Sequence, residues 1–267
     1  MDPWKPNVPA MKIVFNLIAL LMLSCGLPSD EATTATAEPA GMSGAVDSVV
    51  AHPIFHASLV LQHAGLTIYV DPYDGAERFA AFPAPDLVLI TDIHPDHLDP
   101  NTLNGLPLEK ARIVAPPSVK EQLPEALRSE CVAMPNGHTL DIRGVHIEAV
   151  PMYNLPPSPK AMHPPGRGNG YVLTMGGQRI YISGDTQGIP EMRALKDIDI
   201  AFVCMNLPYT MDVDEAVDAV LAFKPKVVYP YHFRDAEGFS DVQRFKELVN
   251  EKDPAIDVRL VDWYPAK

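Results

Sequence analysis

Short apolar runs bounded by turn residues recur along the chain from about residue 46. Runs of this length, rich in Val, Ile, Leu and Tyr, are typical of buried strands. Two pairs of runs are separated by His63-Ala64-Gly65 and Gly176-Gly177. Glycine accepts the positive φ that a tight hairpin turn requires, so both pairs are predicted hairpins. The predicted strands are 58–62, 66–70, 86–90, 112–115, 145–150, 171–175, 179–183, 198–205 and 226–229.

Apolar residues recur at helical spacing in two later segments, 212–223 and 240–250. Each segment has one apolar face, which predicts an amphipathic helix. Asp212 and Asp214 lie near the start of the first, where the helix dipole favours them, and Ser240 is the predicted N-cap of the second. Shorter helices are predicted at 118–127 and 190–195.

The order of these elements predicts an α+β domain over residues 46–267, with two sheets covered by outer helices. The residues before it differ in composition. An apolar run at 13–23 follows Lys12 and precedes Ser24-Cys25, which resembles a signal peptide ending in a bacterial lipobox. We therefore expect a leader at 1–25, export, and a lipid anchor on Cys25; a buried N-terminal segment is the alternative. Residues 26–45 are rich in Ala, Thr, Ser, Glu and Pro, which suits a flexible tether.

Composition narrows the classes of partner. The formal net charge is −13, which argues against a broad basic surface for nucleic acid, so no nucleic-acid partner is expected. A small-molecule partner is compatible with this negative charge, because bound divalent ions dominate the electrostatic field near a metal site. The chain has 28 prolines, which indicates many rigid loops. Cys131 and Cys204 lie in apolar surroundings and are interpreted as core residues, with a disulfide between them left open.

Several predicted strands lead directly into side chains of the kind that bind metals. Strand 86–90 is followed by Asp92, His94, Asp96 and His97 within six residues. Packing does not explain four carboxylates or imidazoles in so short a run. Alternate residues of an extended loop point the same way, so we expect Asp92, His94 and Asp96 to converge and His97 to face a second ion. Imidazole and carboxylate ligands suit zinc, iron or manganese.

This pattern resembles the metallo-β-lactamase superfamily, whose motif is His-x-His-x-Asp-His followed by a third His, a bridging Asp and a final His. The resemblance extends over 46–267 and implies a four-layer αββα sandwich. More narrowly, the chain resembles the branch that contains ascorbate-6-phosphate lactonase. The residues that match the motif and its later ligands are His94, Asp96, His97, His163, Asp185 and His232.

The sequence departs from the motif at its first position, where Asp92 stands for the expected histidine. The resemblance implies two divalent ions that share Asp185. One would be held by Asp92, His94 and His163, and the other by Asp96, His97 and His232. Zinc is the first expectation, and the extra oxygen ligand favours manganese or iron as alternatives. If Asp92 only orients a neighbour, one of the two sites is weak or empty.

Other residues near the predicted site have open roles. His56 either lines the site or caps a strand. Asp71, at the end of strand 66–70, is expected to hydrogen-bond a ligand rather than bind metal. Tyr153 and Asn154 belong to a proline-rich loop, which is either a wall of the substrate pocket or a surface crossing.

The reaction implied is hydrolysis by a metal-activated water, with Asp96 as both ligand and catalytic residue. The expected substrate is a small ester, lactone or phosphodiester. Two alternatives remain at this point: a lipid-directed phosphodiesterase of the phospholipase D type, and a non-catalytic or redox metal-binding protein on the same fold. The sequence does not indicate the oligomeric state.

Overall fold

Two β-sheets form the centre of the fold. The computed structural model describes residues 48–236 and 238–265, so the predicted leader and tether lie outside the described residues. The first sheet contains β1 (Val50–Phe55), β2 (Ser58–His63), β3 (Leu66–Val70), β4 (Leu87–Leu89), β5 (Arg112–Ala115) and β6 (Cys131–Ala133), in that order. The second contains β7 (Thr139–Ile142), β8 (Val145–Met152), β9 (Gly168–Met175), β10 (Gln178–Ile182), β11 (Ile200–Cys204), β12 (Val227–Tyr231) and β13 (Asp257–Val258), also neighbouring in chain order.

Each sheet combines antiparallel hairpins with parallel strands. In the first sheet, β1 to β3 are antiparallel and β3 to β6 are parallel. In the second, β7 to β10 are antiparallel and β10 to β13 are parallel. Both predicted hairpins are confirmed, and Gly176 and Gly177 have φ values of 57° and 70°. In each sheet the parallel strands carry their carboxyl ends to one edge.

Side chains of β4 show how the layers are stacked. Leu87 and Leu89 pack into the large core shared with the second sheet, whereas Val88 packs into a separate cluster with Leu103 and Val119. Successive side chains of a strand point to opposite faces, so the first sheet is apolar on both. The helices are α1 (Pro100–Gly105), α2 (Pro117–Gln122), α3 (Glu125–Arg128), α4 (Pro190–Arg193), α5 (Val213–Phe223) and α6 (Val242–Lys252), with a 3-10 helix at Ala76–Phe79.

The two long helices belong to the second sheet. Buried faces of α5 and α6 join the large core, and the two helices pack against each other. Because α1 and α2 cover the outer face of the first sheet, the order of layers is helix, sheet, sheet, helix. This is the predicted α+β, four-layer αββα sandwich.

The start of α6 differs from the prediction. Asp241, not Ser240, is its N-cap, and the Asp241 side chain accepts a hydrogen bond from the backbone N–H of Arg244 at 2.9 Å. The Ser240 hydroxyl instead donates to the backbone carbonyl of Met205. Both residue types cap helices well, so the sequence alone does not distinguish them. Asp212 caps α5 by accepting from Glu215 N–H at 2.7 Å.

Strands β1, β6, β7 and β13 and helix α1 were not among the predicted elements. In β1, His52 and Pro53 interrupt the apolar pattern, and proline is tolerated because β1 is an edge strand. The helix predicted at 118–127 is divided into α2 and α3. Pro124 disfavours a helical conformation at Leu123, whose ψ is 144°.

The remaining predictions on the core concern the cysteines. Cys131 and Cys204 are both buried and free, so the interpretation as core residues is confirmed and no disulfide joins them. Burial raises the pKa of each thiol to about 11. Among the residues that the structure describes, no helix is long and apolar enough to cross a membrane.

Candidate metal centre

The predicted ligands come together where strands of both sheets end. The loop that follows β4 carries four of them, and the segments after β10 and β12 supply Asp185 and His232. Gly184 has a φ of 60°, which turns the chain away from β10 just before Asp185. A side chain at Gly184 would meet the Met152 sulfur at 2.6 Å, so this turn requires glycine.

Four of these side chains form what we call the four-ligand cage: Asp96, His97, Asp185 and His232. His97 Nε2 lies 3.2 Å from His232 Nε2 and 3.4 Å from Asp185 Oδ2. His232 Nε2 lies 3.3 Å from Asp185 Oδ1 and 3.4 Å from Asp96 Oδ2. His97 Nε2 and Asp96 Oδ1 are 3.9 Å apart. Ligands about 2.1 Å from a tetrahedral ion are roughly 3.4 Å from one another, so the cage has the dimensions of a metal site.

Hydrogen bonds behind the cage fix the direction of its two imidazoles. Asp71 Oδ2 lies 2.9 Å from His97 Nδ1, and the same carboxylate accepts from the Thr91 N–H at 2.7 Å and the Thr91 hydroxyl at 2.6 Å. The Asn206 amide lies 3.2 Å from His232 Nδ1. With both Nδ1 atoms engaged, both Nε2 atoms point into the cage, which is the arrangement that metal-binding histidines show.

Charge inside the cage also favours a cation. Burial alone would lower the pKa of His97, but the negative charges of Asp185 and Asp96 outweigh it and hold that pKa well above its usual value. Burial alone would raise the pKa of Asp185, but His232 and His97 bring it well below its usual value. The buried Asp185 Oδ1 has no hydrogen-bond partner. Buried carboxylates that hold a positive charge, with an oxygen left over, fit a divalent ion.

The remaining predicted ligands form a second group, the Asp92 cluster: Asp92, His94 and His163. Their donor atoms lie within 4.8 Å of one another. His163 Nε2 is 3.2 Å from Asp185 Oδ2 and 3.9 Å from Asp92 Oδ2. Asp92 also forms a two-pronged ion pair with Arg167, at 2.9 Å and 2.7 Å. Burial would raise the pKa of Asp92, but His94 and Arg167 lower it.

The predicted convergence of Asp92, His94 and Asp96 is only partly what the structure shows. Asp92 and His94 are together, but Asp96 lies with His97 in the cage. The chain does not stay extended after His94, because the N–H groups of His97 and Leu98 both donate to the His94 carbonyl, at 2.9 Å and 2.8 Å. Side chains therefore do not alternate through this turn, and the alternation argument fails after His94.

His56 lies beside the cage and lines the site rather than only capping a strand. It sits in the tight turn between β1 and β2 with a φ of 59°. Its Nε2 is 3.1 Å from Asp96 Oδ2, and its Nδ1 is 3.0 Å from the Tyr264 hydroxyl. Burial, with a further contribution from His232, lowers the pKa of His56 to about 4, so its imidazole is neutral near pH 7.

An open cavity of about 370 Å³ leads to both groups, a size suited to a small molecule. His56, His94, Asp96, His163 and Asp185 face it. Its wall also includes Pro95, Met162, Tyr209, Arg234, Asp235 and Ala236, together with the buried Asn206. The proline-rich loop thus supplies Met162 and His163 to the wall, so the pocket-wall interpretation holds for the loop.

Tyr153 and Asn154 play other parts in that loop. Tyr153 is buried and donates to Glu191 Oε2 at 2.9 Å. Asn154 Oδ1 accepts from the His163 N–H at 2.8 Å, which fixes the His163 backbone. The sequence pattern predicts no role for Arg167 or Asn206. Neither residue lies in a periodic pattern, and Arg167 meets Asp92 across 75 residues of chain.

The αββα fold and the donor groups at its strand ends define a class, the metal-binding proteins of the metallo-β-lactamase fold. The family model described as "Beta-lactamase superfamily domain" matches residues 54–232, well over half of the chain. The chain therefore belongs to the β-lactamase superfamily, and the predicted family is confirmed.

Curated relatives and a solved structure give the same result. The UPF0173 metal-dependent hydrolase of Nanoarchaeum equitans is 30% identical over 204 residues, covering 74% of this chain and 90% of the relative. That of Pyrococcus horikoshii is 31% identical over 209 residues, with the same coverage. A structure from Parabacteroides distasonis, described as a metal-dependent hydrolase, is 39% identical with a TM-score of 0.71, covering 81% of this chain and 94% of its own. The relatives are thus hydrolases, the enzyme class predicted for this chain.

Proposed function

We propose that this chain is a metal-dependent hydrolase that binds a divalent ion in the four-ligand cage and acts on a small ester, lactone or phosphodiester. The observation that carries the proposal is the spacing of the cage. His232 Nε2 lies 3.2 Å from His97 Nε2, 3.3 Å from Asp185 Oδ1 and 3.4 Å from Asp96 Oδ2, and both carboxylates face an open cavity. The metal-dependent relatives support it.

The two carboxylates of the cage would have different tasks. The side chain of Asp185 is 4% exposed, whereas that of Asp96 is 30% exposed and faces the cavity. Asp185 therefore serves as a ligand. Asp96 is placed to accept a hydrogen bond from a water in the cavity as well as to bind metal, and His56 fixes the direction of its Oδ2. When bound, a divalent ion supplies a Lewis acid and makes a bound water acidic enough to lose its proton near neutral pH.

Arg234 supports the choice of substrates with a negative or polar oxygen centre. It is exposed on the outer wall of the cavity, and its guanidinium lies 5.5 Å from the Phe55 ring and 5.3 Å from the Tyr264 ring. Stacking of this kind positions an arginine without neutralising it. A phosphate or carboxylate group at this wall would meet a positive charge, while the scissile bond reaches the cage.

Elemental analysis of the purified protein tests the proposal directly. We expect a divalent metal to co-purify, and we expect metal-depleted protein to regain turnover with zinc, manganese or iron on a panel of esters, lactones and phosphodiesters. Zinc is our first expectation, and the carboxylates of the cage favour manganese or iron as alternatives. Protein that binds no divalent ion, or binds it tightly and hydrolyses nothing on the panel, would contradict the proposal.

A lipid-directed phosphodiesterase is the second candidate, and the rim of the cavity favours it. The large apolar side chains that are exposed among the described residues are Leu155, Met162, Leu207, Tyr209 and Phe239. Met162 and Tyr209 line the cavity itself. An apolar rim of this kind marks a site for an apolar ligand or a membrane. The predicted lipid anchor on Cys25 and export would bring such a site to a lipid surface.

Substrates with matched headgroups separate the two candidates. A long-chain phosphodiester should be preferred over its short-chain analogue only if the rim binds acyl chains, and Met162→Ser should then raise KM for the long-chain substrate alone. Equal kcat/KM for both chain lengths would reject the lipid-directed activity and leave small-molecule hydrolysis in place. Tight metal binding or electron transfer without any hydrolysis would instead favour the non-catalytic or redox alternative.

A further inference from the structure

The Asp92 carboxylate is already occupied by donors from within the chain. Arg167 Nε lies 2.9 Å from Asp92 Oδ1, and Arg167 Nη2 lies 2.7 Å from Asp92 Oδ2. His94 Nδ1 lies 3.0 Å from the same Oδ2. The Asp92 side chain has no exposed surface, and that of Arg167 is 17% exposed. A two-pronged pair of this kind holds both partners in one geometry and resists exchange with solvent.

This arrangement removes most of the ligands that a second ion would need. Asp92 Oδ2 already contacts two nitrogen atoms, and its other oxygen contacts a third. His94 uses Nδ1 toward Asp92, and its Nε2 lies 3.3 Å from Arg167 Nη2. His163 alone keeps ring nitrogens without a hydrogen-bond partner. One imidazole and a carboxylate shared with the cage are too few donors for a firmly held divalent ion.

Charge adds to the effect of geometry. The Arg167 side chain carries a positively charged guanidinium, which offers no acceptor atom to a metal ion. An ion bound between Asp92 and His94 would have to lie against it, and like charges repel strongly at short range in a buried site. Within the described part of the chain, no lysine or arginine forms a hydrogen bond or ion pair with the four cage residues. The residues of the Asp92 cluster therefore do not fit an ion as long as Arg167 is in place.

We propose that Arg167 is the resident cation of the Asp92 cluster, so that the chain binds one divalent ion tightly, in the four-ligand cage, and not two. The inference rests on the proposed function for the cage and corrects the expectation of a second ion at Asp92, His94 and His163. In this arrangement His94, which faces the cavity and is 26% exposed, is a neighbour of Asp92 and Arg167 and not a metal ligand.

Metal stoichiometry tests the inference without relying on turnover. Wild-type protein, Arg167→Gln, Arg167→Lys and the control Arg112→Gln would be depleted of metal and titrated with Mn²⁺ or Zn²⁺ by calorimetry. Arg112, at the start of β5, forms a solvent-exposed ion pair with Glu130, at 2.6 Å. We expect one tight equivalent in wild type, in Arg167→Lys and in the control.

Arg167→Gln is expected to bind a second equivalent of metal at the Asp92 cluster. The affinity of this cluster should be about tenfold or more above its affinity in wild type, the scale on which neighbours of metal ligands act. Electron paramagnetic resonance spectra of the manganese-loaded variant would then show coupling between two adjacent ions. Wild-type protein should show no such coupling. Two tight equivalents in wild-type protein would overturn the inference and leave the proposed function standing. Wild-type protein that binds no ion would overturn the proposed function.

His94→Ala keeps the inference testable if Arg167→Gln does not fold. Under the inference His94 is not a ligand, so His94→Ala should still bind one equivalent with an affinity within about twofold of wild type, the size of a small neighbouring change. A loss of one equivalent, or of all tight binding, in folded His94→Ala would show that His94 binds the ion and would overturn the inference.

Discussion

The two halves of the metal centre share the loop that follows β4, but their surroundings suit different cations. In the four-ligand cage, each imidazole is held from behind, by Asp71 or Asn206, and its Nε2 points inward. In the Asp92 cluster, the carboxylate is instead paired with Arg167. The comparison teaches that ligand-type side chains do not by themselves make a metal site. Such a group can bind a metal ion only if the neighbouring residues leave its donor atoms available.

The largest expected effect breaks the cage itself. Asp185→Ala and His97→Ala should lose metal and activity together, because each removes a donor near the centre and Asp185 is the less exposed of the two cage carboxylates. We expect turnover to fall about a thousandfold or more, on the scale of losing a principal electrostatic stabiliser. Metal content and turnover of folded protein measure this. Full metal content with unchanged turnover in either variant would contradict the assignment.

The next effect concerns the support behind the cage. Asp71→Asn keeps the shape of the side chain but removes its charge, and one of its new N–H donors must face Thr91 or His97, which already donate to this carboxylate. We expect metal affinity to fall about tenfold to a hundredfold, the usual cost of altering such a partner. Competition with a chelator measures the affinity. Arg112→Gln serves as the control. An unchanged metal affinity in Asp71→Asn would show that Asp71 does not hold His97.

A smaller effect is expected at the border between cage and cavity. His56→Gln should keep the metal and lower turnover by about tenfold, the low end for outer partners of a metal site, because His56 positions Asp96 and is not needed to hold the ion. Tyr264→Phe, which removes the hydroxyl at His56 Nδ1, should change turnover in the same direction. If His56→Gln loses its metal, then His56 is a ligand and the cage has five members.

The smallest effect should come from the neutral support. Asn206→Ala removes an amide 3.2 Å from His232 Nδ1 but leaves every charge of the cage in place. We expect metal affinity to fall about twofold to tenfold, the range of one neutral hydrogen bond. The same chelator competition applies. A loss as large as that of Asp71→Asn would mean that direction, and not charge, is what the cage needs from its support.

The fold and most of the candidate ligands could be predicted because they depend on local patterns. Strand bounds at 66–70 and 112–115 agree with the structure, and parallel strands bring Asp185 and His232 to one edge. Arg167 could not be assigned, because its partner Asp92 is distant in the chain. The role of His56 could not be predicted for a related reason. Its position depends on a tight turn with positive φ, which periodicity does not reveal.

The turn that carries His56 also ties the cavity to a segment more than 200 residues further along the chain. Its N–H donates to the Trp263 carbonyl at 3.1 Å, and its imidazole contacts the Tyr264 hydroxyl. A chain cut before residue 263 would still carry all four cage residues, yet its His56 would lack both anchors. Residues 263 and 264 thereby support the pocket without supplying any cage residue.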